Sequence, residues 1–344
     1  MRLTGLAPAL PLGRRHFLGM AGAVLAALTT SPRAQARHFR IAFANQTEEP
    51  GVRLDGLGFA GADVRRSFEL ASRSLPVEMI YYDNAGVGDK ALANADDAIL
   101  RKVDLFIAYG ADAEANVEIG SKMKAAGIPV LAVSYPVPGA PLYTADNLSA
   151  GAIAGRALGE FAKQSFPGET VVAVVIGDLG DPRSAIADRV QGITDGLRRE
   201  FPDMSPTRLD TSGNPARVEG LLGKFLAAQP RRKVLVAALD DATAIAAKGG
   251  VEIAARIGDC VIVGQGVDRS IHGGISDKRE IDPNNRSSIV LGSVAYYLDR
   301  YGYEVLPLAL KMLRGEHIAF RTATAHLLIT ARNVFQIYPP TDMN

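Results

Sequence analysis

The chain has 344 residues and carries 38 lysines and arginines against 37 aspartates and glutamates. That near balance is no footprint for nucleic acid or for an anionic membrane surface. It has one cysteine and no tryptophan, so an internal disulfide is excluded and any ring stacking falls to tyrosine or phenylalanine.

Residues 1–36 hold Arg2, Arg14, Arg15 and Arg33 and no acidic residue. Arg14-Arg15-His16-Phe17-Leu18 leads into an apolar run through residues 21–28, and Ala34-Gln35-Ala36 follows. A basic start, a short apolar middle and an A-x-A end make a secretory signal. The arginine pair before Phe-Leu resembles the twin-arginine export signal, with an ordinary secretion signal as the alternative. The apolar run falls short of the ~20 residues that a spanning helix needs. Cleavage after Ala36 and a periplasmic destination are expected. The remaining chain has lost four arginines and no carboxylate, so it is slightly acidic. It holds no second long apolar segment and is expected to be soluble. Its length exceeds what one growing core usually serves, which predicts two lobes.

Short apolar runs then alternate with helix-length amphipathic stretches. A strand is expected at 39–44 and a helix at 58–75, with Phe59, Ala62, Phe68 and Ala71 near one face. Strands follow at 77–82, 104–109 and 128–133, separated by helices at 90–102 and 114–126. The pattern restarts with a helix at 151–164 and a strand at 171–176 made wholly of Val, Ala and Ile, as in a strand buried on both faces. A helix at 183–200, a short strand near Arg208 and a helix at 215–228 come next. Strand 234–238, helix 243–257 and strand 261–263 complete the second series. Cys260 sits in this last apolar stretch and reads as a small core residue. The tail offers a strand at 287–295, a helix at 299–314 and a strand at 323–330. It is too short for a third domain and is expected to complete the first two. Strict β-α-β alternation implies parallel sheets with helices on both faces. The expected fold is α/β, with two doubly wound lobes joined by a multi-strand hinge and a ligand cleft between them. The first lobe should comprise 37–146 and 297–325, the second 147–296 and 326–344.

Ligands in such sheets sit beyond the carboxyl ends of the strands. Those ends read Asn45-Gln46-Thr47, Tyr109-Gly110-Ala111-Asp112, Ser134-Tyr135-Pro136, Gly177-Asp178, Asp240-Asp241 and Gly264-Gln265-Gly266. Amides, carboxylates, hydroxyls and phenols suit a small polyhydroxylated ligand. The same residues also serve as ordinary caps and turns; Asp240, just before a helix, fits an N-cap.

Several segments bring a family resemblance. Asp188-Arg189-Val190-Gln191-Gly192-Ile193 resembles the Arg-x-x-Gly-Phe helix start of the ribose- and galactose-type periplasmic binding proteins. Ala238-Leu239-Asp240-Asp241 resembles their Asn-Asp step, and Asp146-Asn147 with Gly151 and Gly155 their hinge segment. Gly292-Ser293-Val294-Ala295, Gly302 and Leu313-Arg314-Gly315-Glu316 resemble their last crossover and helix. The likeness covers nearly the whole chain after residue 36 and implies the type I periplasmic binding protein fold. It implies that Arg189 contacts the ligand, that Asp241 shares the site and that Phe59 covers a ring face. The departures matter too. Gln265 stands near the family's usual carboxylate, Tyr296 at its glutamine, Ser134-Tyr135 at the ribose binders' Asp-Arg pair and Tyr109 at an asparagine. A site built for one hydroxyl pattern rejects others, so the pattern argues against ribose itself. A modified sugar, a polyol, a nucleoside-like ring or another apolar-faced molecule fits better.

The expected ligand site is therefore Asn45, Gln46, Phe59, Tyr109, Ser134, Tyr135, Arg189, Asp241, Gln265 and Tyr296. No catalytic residue, metal or cofactor is expected. Gly264-Gln265-Gly266 lacks the third glycine of a dinucleotide loop, because Arg269 stands there. No G-x-S-x-G, P-loop or H-E-x-x-H motif occurs. The expected role is the periplasmic binding component of an ABC importer: a monomer that delivers its ligand to a membrane permease served by an ATPase. A ligand-sensing partner of a sensor kinase or chemoreceptor is the first alternative. A hydrolase or lyase using Asp178, Asp181, Asp240 and Asp241 is the second.

Overall fold

A computed structural model of the chain describes residues 38–180, 185–285 and 287–340. The expected export signal lies outside them. The described residues form one compact unit that contains two lobes, each a six-stranded sheet flanked by helices.

The first series is β1 (Phe39–Asn45), α1 (Gly61–Ser72), β2 (Val77–Asp83), α2 (Gly88–Leu100), β3 (Leu105–Ala108), α3 (Ala113–Ala125), β4 (Val130–Val133) and β5 (Leu142–Thr144). The second is α4 (Asn147–Ser165), β6 (Val171–Gly177), α5 (Ala185–Glu200), β7 (Thr207–Asp210), α6 (Val218–Ala227), β8 (Lys233–Ala238), α7 (Asp241–Ile253), β9 (Cys260–Gly266) and β10 (Val290–Ala295). The tail supplies α8 (Tyr301–Leu313), β11 (Arg321–Ala323), β12 (Leu328–Ile329) and α9 (Val334–Ile337). The sheets run β11-β5-β4-β3-β1-β2 and β12-β10-β9-β8-β6-β7. Every pairing is parallel except β10 with β12. Central strands such as β3 and β9 are buried along their whole length, as expected of parallel strands covered on both faces. Cys260 is buried with them, and burial pushes its thiol up to about 12.

Three differences from the sequence pattern have local causes. The helix expected at 58–75 begins at Gly61, where the Asp63 carboxylate accepts the Ala60 N–H at 2.9 Å. The helix expected at 151–164 begins at Asn147, capped by Asp146, whose Oδ1 accepts the Ser149 N–H at 3.0 Å. The strand expected at 323–330 is two strands: β11 closes the first sheet, and β12 pairs antiparallel in the second.

The chain passes between the sheets three times: between β5 and α4, between β10 and α8, and between β11 and β12. His326, in the third passage, ties them together. Its Nε2 accepts the Asp146 N–H at 3.0 Å, and its Nδ1 lies 2.9 Å from the Ala295 carbonyl. That pattern assigns the proton to Nδ1. Beside the hinge, α4 and α5 pack backbone to backbone. A Cβ on Gly151 would stand 2.1 Å from the Arg189 carbonyl, and one on Gly155 2.1 Å from that of Ile193. Only glycine allows this approach, and the approach fixes where α5 projects Arg189.

Candidate functional site: the cleft between the sheets

The ends of β3 and β4 present three hydroxyls to one point. Tyr109 Oη, Ser134 Oγ and Tyr135 Oη donate to the carboxylate of Asp55 at 2.9, 2.8 and 3.0 Å. Ser134 holds a left-handed φ of 57°, uncommon for a residue other than glycine. The rings of Tyr109 and Tyr135 stack with centroids 6.2 Å apart. Burial raises the Asp55 carboxyl above its usual range, while the three hydroxyls and the charge of Arg189 pull it down. Burial, and then the Asp55 charge, raises the Tyr109 phenol.

Arg189 comes from the opposite lobe and is 1% exposed. Its Nε and Nη2 donate to Asn147 Oδ1 at 3.1 and 2.9 Å, and Nη1 donates to the Leu239 carbonyl at 2.8 Å. Nη2 also reaches the Asp55 carbonyl at 3.3 Å. The guanidinium lies over the Tyr296 ring, 4.7 Å from its centroid. Tyr296 Oη donates to Gln265 Oε1 at 3.0 Å, and burial pushes its phenol up to about 12. Gln265 is fully buried, and its Nε2 has no partner among the described residues.

The remaining predicted positions separate from this cluster. Asn45 is buried and donates from Nδ2 to the Gly61 carbonyl at 2.9 Å, which ties β1 to the start of α1. Gln46 is half-buried with Oε1 unpartnered. Phe59 is buried and lines an open cavity of about 870 Å³. Asp241 lies inside the second lobe, where Ser293 Oγ donates to it at 2.6 Å and the Asp268 N–H at 2.7 Å. Burial first, then the Asp268 charge, raises its carboxyl well above the usual range. Its neighbour Asp240 faces the cavity and caps α7 through Thr243.

Asp55 and Asn147 are the residues that the sequence pattern does not single out. Asn147 is visible only as part of the hinge segment. Asp55 had one indirect signal: the connection between the first strand and helix is long for this fold, where such loops usually take 2–6 residues. Of the carboxylates weighed for catalysis, Asp181 lies outside the described residues, Asp178 is exposed, and Asp240 and Asp241 face separate partners. No group of three His, Cys, Asp or Glu among the described residues is placed to hold a metal. No helix among them is long and apolar enough to cross a membrane.

A family model described as "Periplasmic binding protein domain" matches residues 59–317. No curated protein matches the sequence. Among solved structures, the chain is similar to an ABC transporter periplasmic solute-binding protein from Actinobacillus succinogenes with bound D-allose. The TM-score is 0.65 at 16% identity, covering 87% of this chain and 99% of that one. An ABC transporter solute-binding protein from Mycobacterium smegmatis with bound glycerol gives 0.65 at 19% identity, covering 88% and 98%. A fructose-binding periplasmic domain of a hybrid two-component system gives 0.60 at 20% identity, covering 87% and 93%. These likenesses show a shared fold.

Proposed function

The chain belongs to the periplasmic binding protein family, and from that premise we propose that it is the periplasmic substrate-binding component of an ABC importer. It takes a sugar or sugar-like small molecule into the cleft between its lobes, closes by hinge motion and passes the ligand to a permease energised by an ATPase. It is exported with cleavage after Ala36, acts as a monomer, uses no cofactor and performs no turnover. Its lobes divide at 146/147, 296/297 and 325/326. One observation carries the reading. Hydroxyl-bearing strand ends of one lobe, at Tyr109, Ser134 and Tyr135, and a buried arginine of the other, Arg189, converge on one residue between the sheets, Asp55. The bound D-allose and glycerol of the two solute-binding proteins support the ligand class.

A thermal-shift screen of sugars, polyols and nucleosides tests it. A ligand at 100 times its Kd adds about 2.7 kcal/mol, which is readily seen as a raised Tm. The expected result is stabilisation by one compound class, with the compound recovered chemically unchanged. A ligand returned as a new product would sink the binding-only reading in favour of an enzyme. A second reading, ligand sensing, is favoured by the likeness to a periplasmic domain of a two-component system. Co-purification of a permease separates the first from the second, which expects a sensor kinase instead.

A further inference from the structure

The inner end of the cleft is filled by the protein itself. The connection between β1 and α1 folds into a small self-contained loop. Leu54 N–H donates to the Phe59 carbonyl at 2.9 Å, Leu57 N–H to that of Leu54 at 2.9 Å, and Arg53 Nη1 to that of Gly58 at 2.8 Å. Leu54 and Leu57 are buried in the core that the two sheets share. A Cβ on Gly56 would touch Ile186 of α5, and one on Gly58 would collide with Asp268. The loop thus bridges both lobes. Apart from bonds at its own ends, from the Val52 N–H to the Glu49 carbonyl and from the Leu54 N–H to that of Phe59, the hydrogen bonds of residues 50–58 to the rest of the described protein run through Asp55: three to its carboxylate and one to its carbonyl. The loop is held by two buried leucines, but its one carboxylate, that of Asp55, meets the strand ends as the anionic group of a ligand would.

The receiving groups indicate which ligand. Each of the four donates: three hydroxyls and a guanidinium. Arg189 is buried, and its partners are an amide oxygen, two backbone carbonyls and an aromatic ring. Its charge is met only at a distance, by the Asp55 and Asp240 carboxylates, and neither carboxylate hydrogen-bonds to it, which leaves its burial incompletely compensated. Asp240 feels its charge but is committed to Thr243 as a helix cap. Without Asp55 the pocket would offer donors and a cation. Burial also works against the Asp55 carboxylate, so a better-placed anion can replace it. Gly51 and Gly56, with φ of 87° and 65°, are the loop positions with the widest backbone freedom; withdrawal would pull Leu54 and Leu57 from the core, and the adjoining cavity of about 870 Å³ gives the loop room.

We propose that Tyr109, Ser134, Tyr135 and Arg189 form a carboxylate subsite for a small polyhydroxylated acid, an aldonate or a uronate, whose carboxylate takes the place of Asp55 as the loop withdraws. The proposal rests on the interlobe-binding reading above and narrows its ligand class. Asp55 is then a competitor that sets the affinity threshold, and neutral sugars, which offer the guanidinium no charge, are discriminated against.

The test uses calorimetric titration and thermal shift on the full chain and on Asp55→Gly. Glycine removes the carboxylate and suits the φ of 54° at that position. The probes are D-gluconate, D-galactonate, D-glucuronate and D-galacturonate, each beside its neutral parent, D-glucose or D-galactose. At least one acid should stabilise the wild type and bind it at least tenfold more tightly than its neutral parent. It should bind Asp55→Gly at least tenfold more tightly still. Asp55→Asn, which keeps an acceptor without the charge, should fall between and carries the test if the glycine variant does not fold. Acids that bind neither protein, or bind the wild type and both variants equally, overturn the proposal. If neutral sugars bind while acids do not, the carboxylate subsite fails and the interlobe-binding reading stands. If nothing in the wider screen binds, that reading fails as well.

Discussion

The strand ends of the two lobes use similar polar residues in opposite ways. In the second lobe the polar groups at the strand ends pair with one another: Asp241 holds Ser293 and the Asp268 backbone, and Tyr296 holds the amide oxygen of Gln265. In the first lobe Tyr109, Ser134 and Tyr135 turn to a carboxylate carried by a loop. Internal pairing makes a rigid wall. Pairing to a displaceable segment makes a vacatable site. Two lobes of the same architecture therefore divide the labour, one as scaffold and one as receptor, with Arg189 reaching across.

The largest effect should come from breaking the scaffold side. Asp241→Ala leaves the Ser293 hydroxyl and the Asp268 N–H unpartnered where no water reaches, at about 1–3 kcal/mol for each group. A loss of roughly 2–4 kcal/mol in urea unfolding is expected. Asp241→Asn should recover most of it, because the site already disfavours a charge. Asp55→Gly frees three hydroxyls but also removes a carboxylate that burial disfavours, so it should cost less than Asp241→Ala, about 1–2 kcal/mol. Equal losses at Asp241 and Asp55 would erase the distinction between the lobes.

Next comes the residue that spans both. Arg189→Ala should weaken the ligand found by screening by roughly 1.5–3 kcal/mol, the range for charged hydrogen bonds, as read by calorimetric titration. Unchanged affinity would remove Arg189 from the pocket. Tyr296→Phe is milder. It keeps the ring beneath the guanidinium but deletes the hydroxyl that reaches Gln265, for about 1 kcal/mol of stability. A larger effect on ligand affinity than on stability would move Tyr296 from the wall into the site.

The alternation of strands and helices was legible because a strand buried on both faces is a continuous apolar run; 171–176 and 234–238 are plain examples. The start of α4 was missed because Ser149 and Ala150 give no apolar period, although Asp146 and Ser149 form a cap. β5 is three residues after a Pro- and Gly-rich turn, too short for a periodic signal. The split between β11 and β12 was hidden because side-chain period says nothing about which sheet a strand joins. Tyr109, Ser134, Tyr135, Arg189 and Tyr296 were reachable as strand ends or a helix start. Asp55 was not, because a carboxylate between glycines in a long polar loop reads as a turn. Its role comes from partners 54 to 134 residues away.

The smallest expected effect depends on pH and concerns the hinge that lets the lobes differ at all. Burial, the larger influence, lowers the His326 pKa below 6.5, and the Arg189 charge adds to it; the Ala295 carbonyl and the Asp146 charge oppose it. Protonation would also remove the lone pair that accepts the Asp146 N–H. The folded protein therefore holds the neutral ring, while the unfolded chain takes up a proton as pH falls below about 6.5. The stability from this residue is complete above that pH and drains away below it, by at most about 1.4 kcal/mol per pH unit. His326→Gln can present an acceptor to Asp146 and a donor to Ala295 without titrating. Urea unfolding of both proteins at pH 7.5, 6.0 and 5.0 isolates the difference, because the buried His272 is common to both. The gap between variant and wild type should narrow, or turn in favour of the variant, as pH falls. Parallel curves would mean that the three passages between the lobes are held without regard to the charge on His326, leaving the hinge insensitive to the one titrating ring that touches all three.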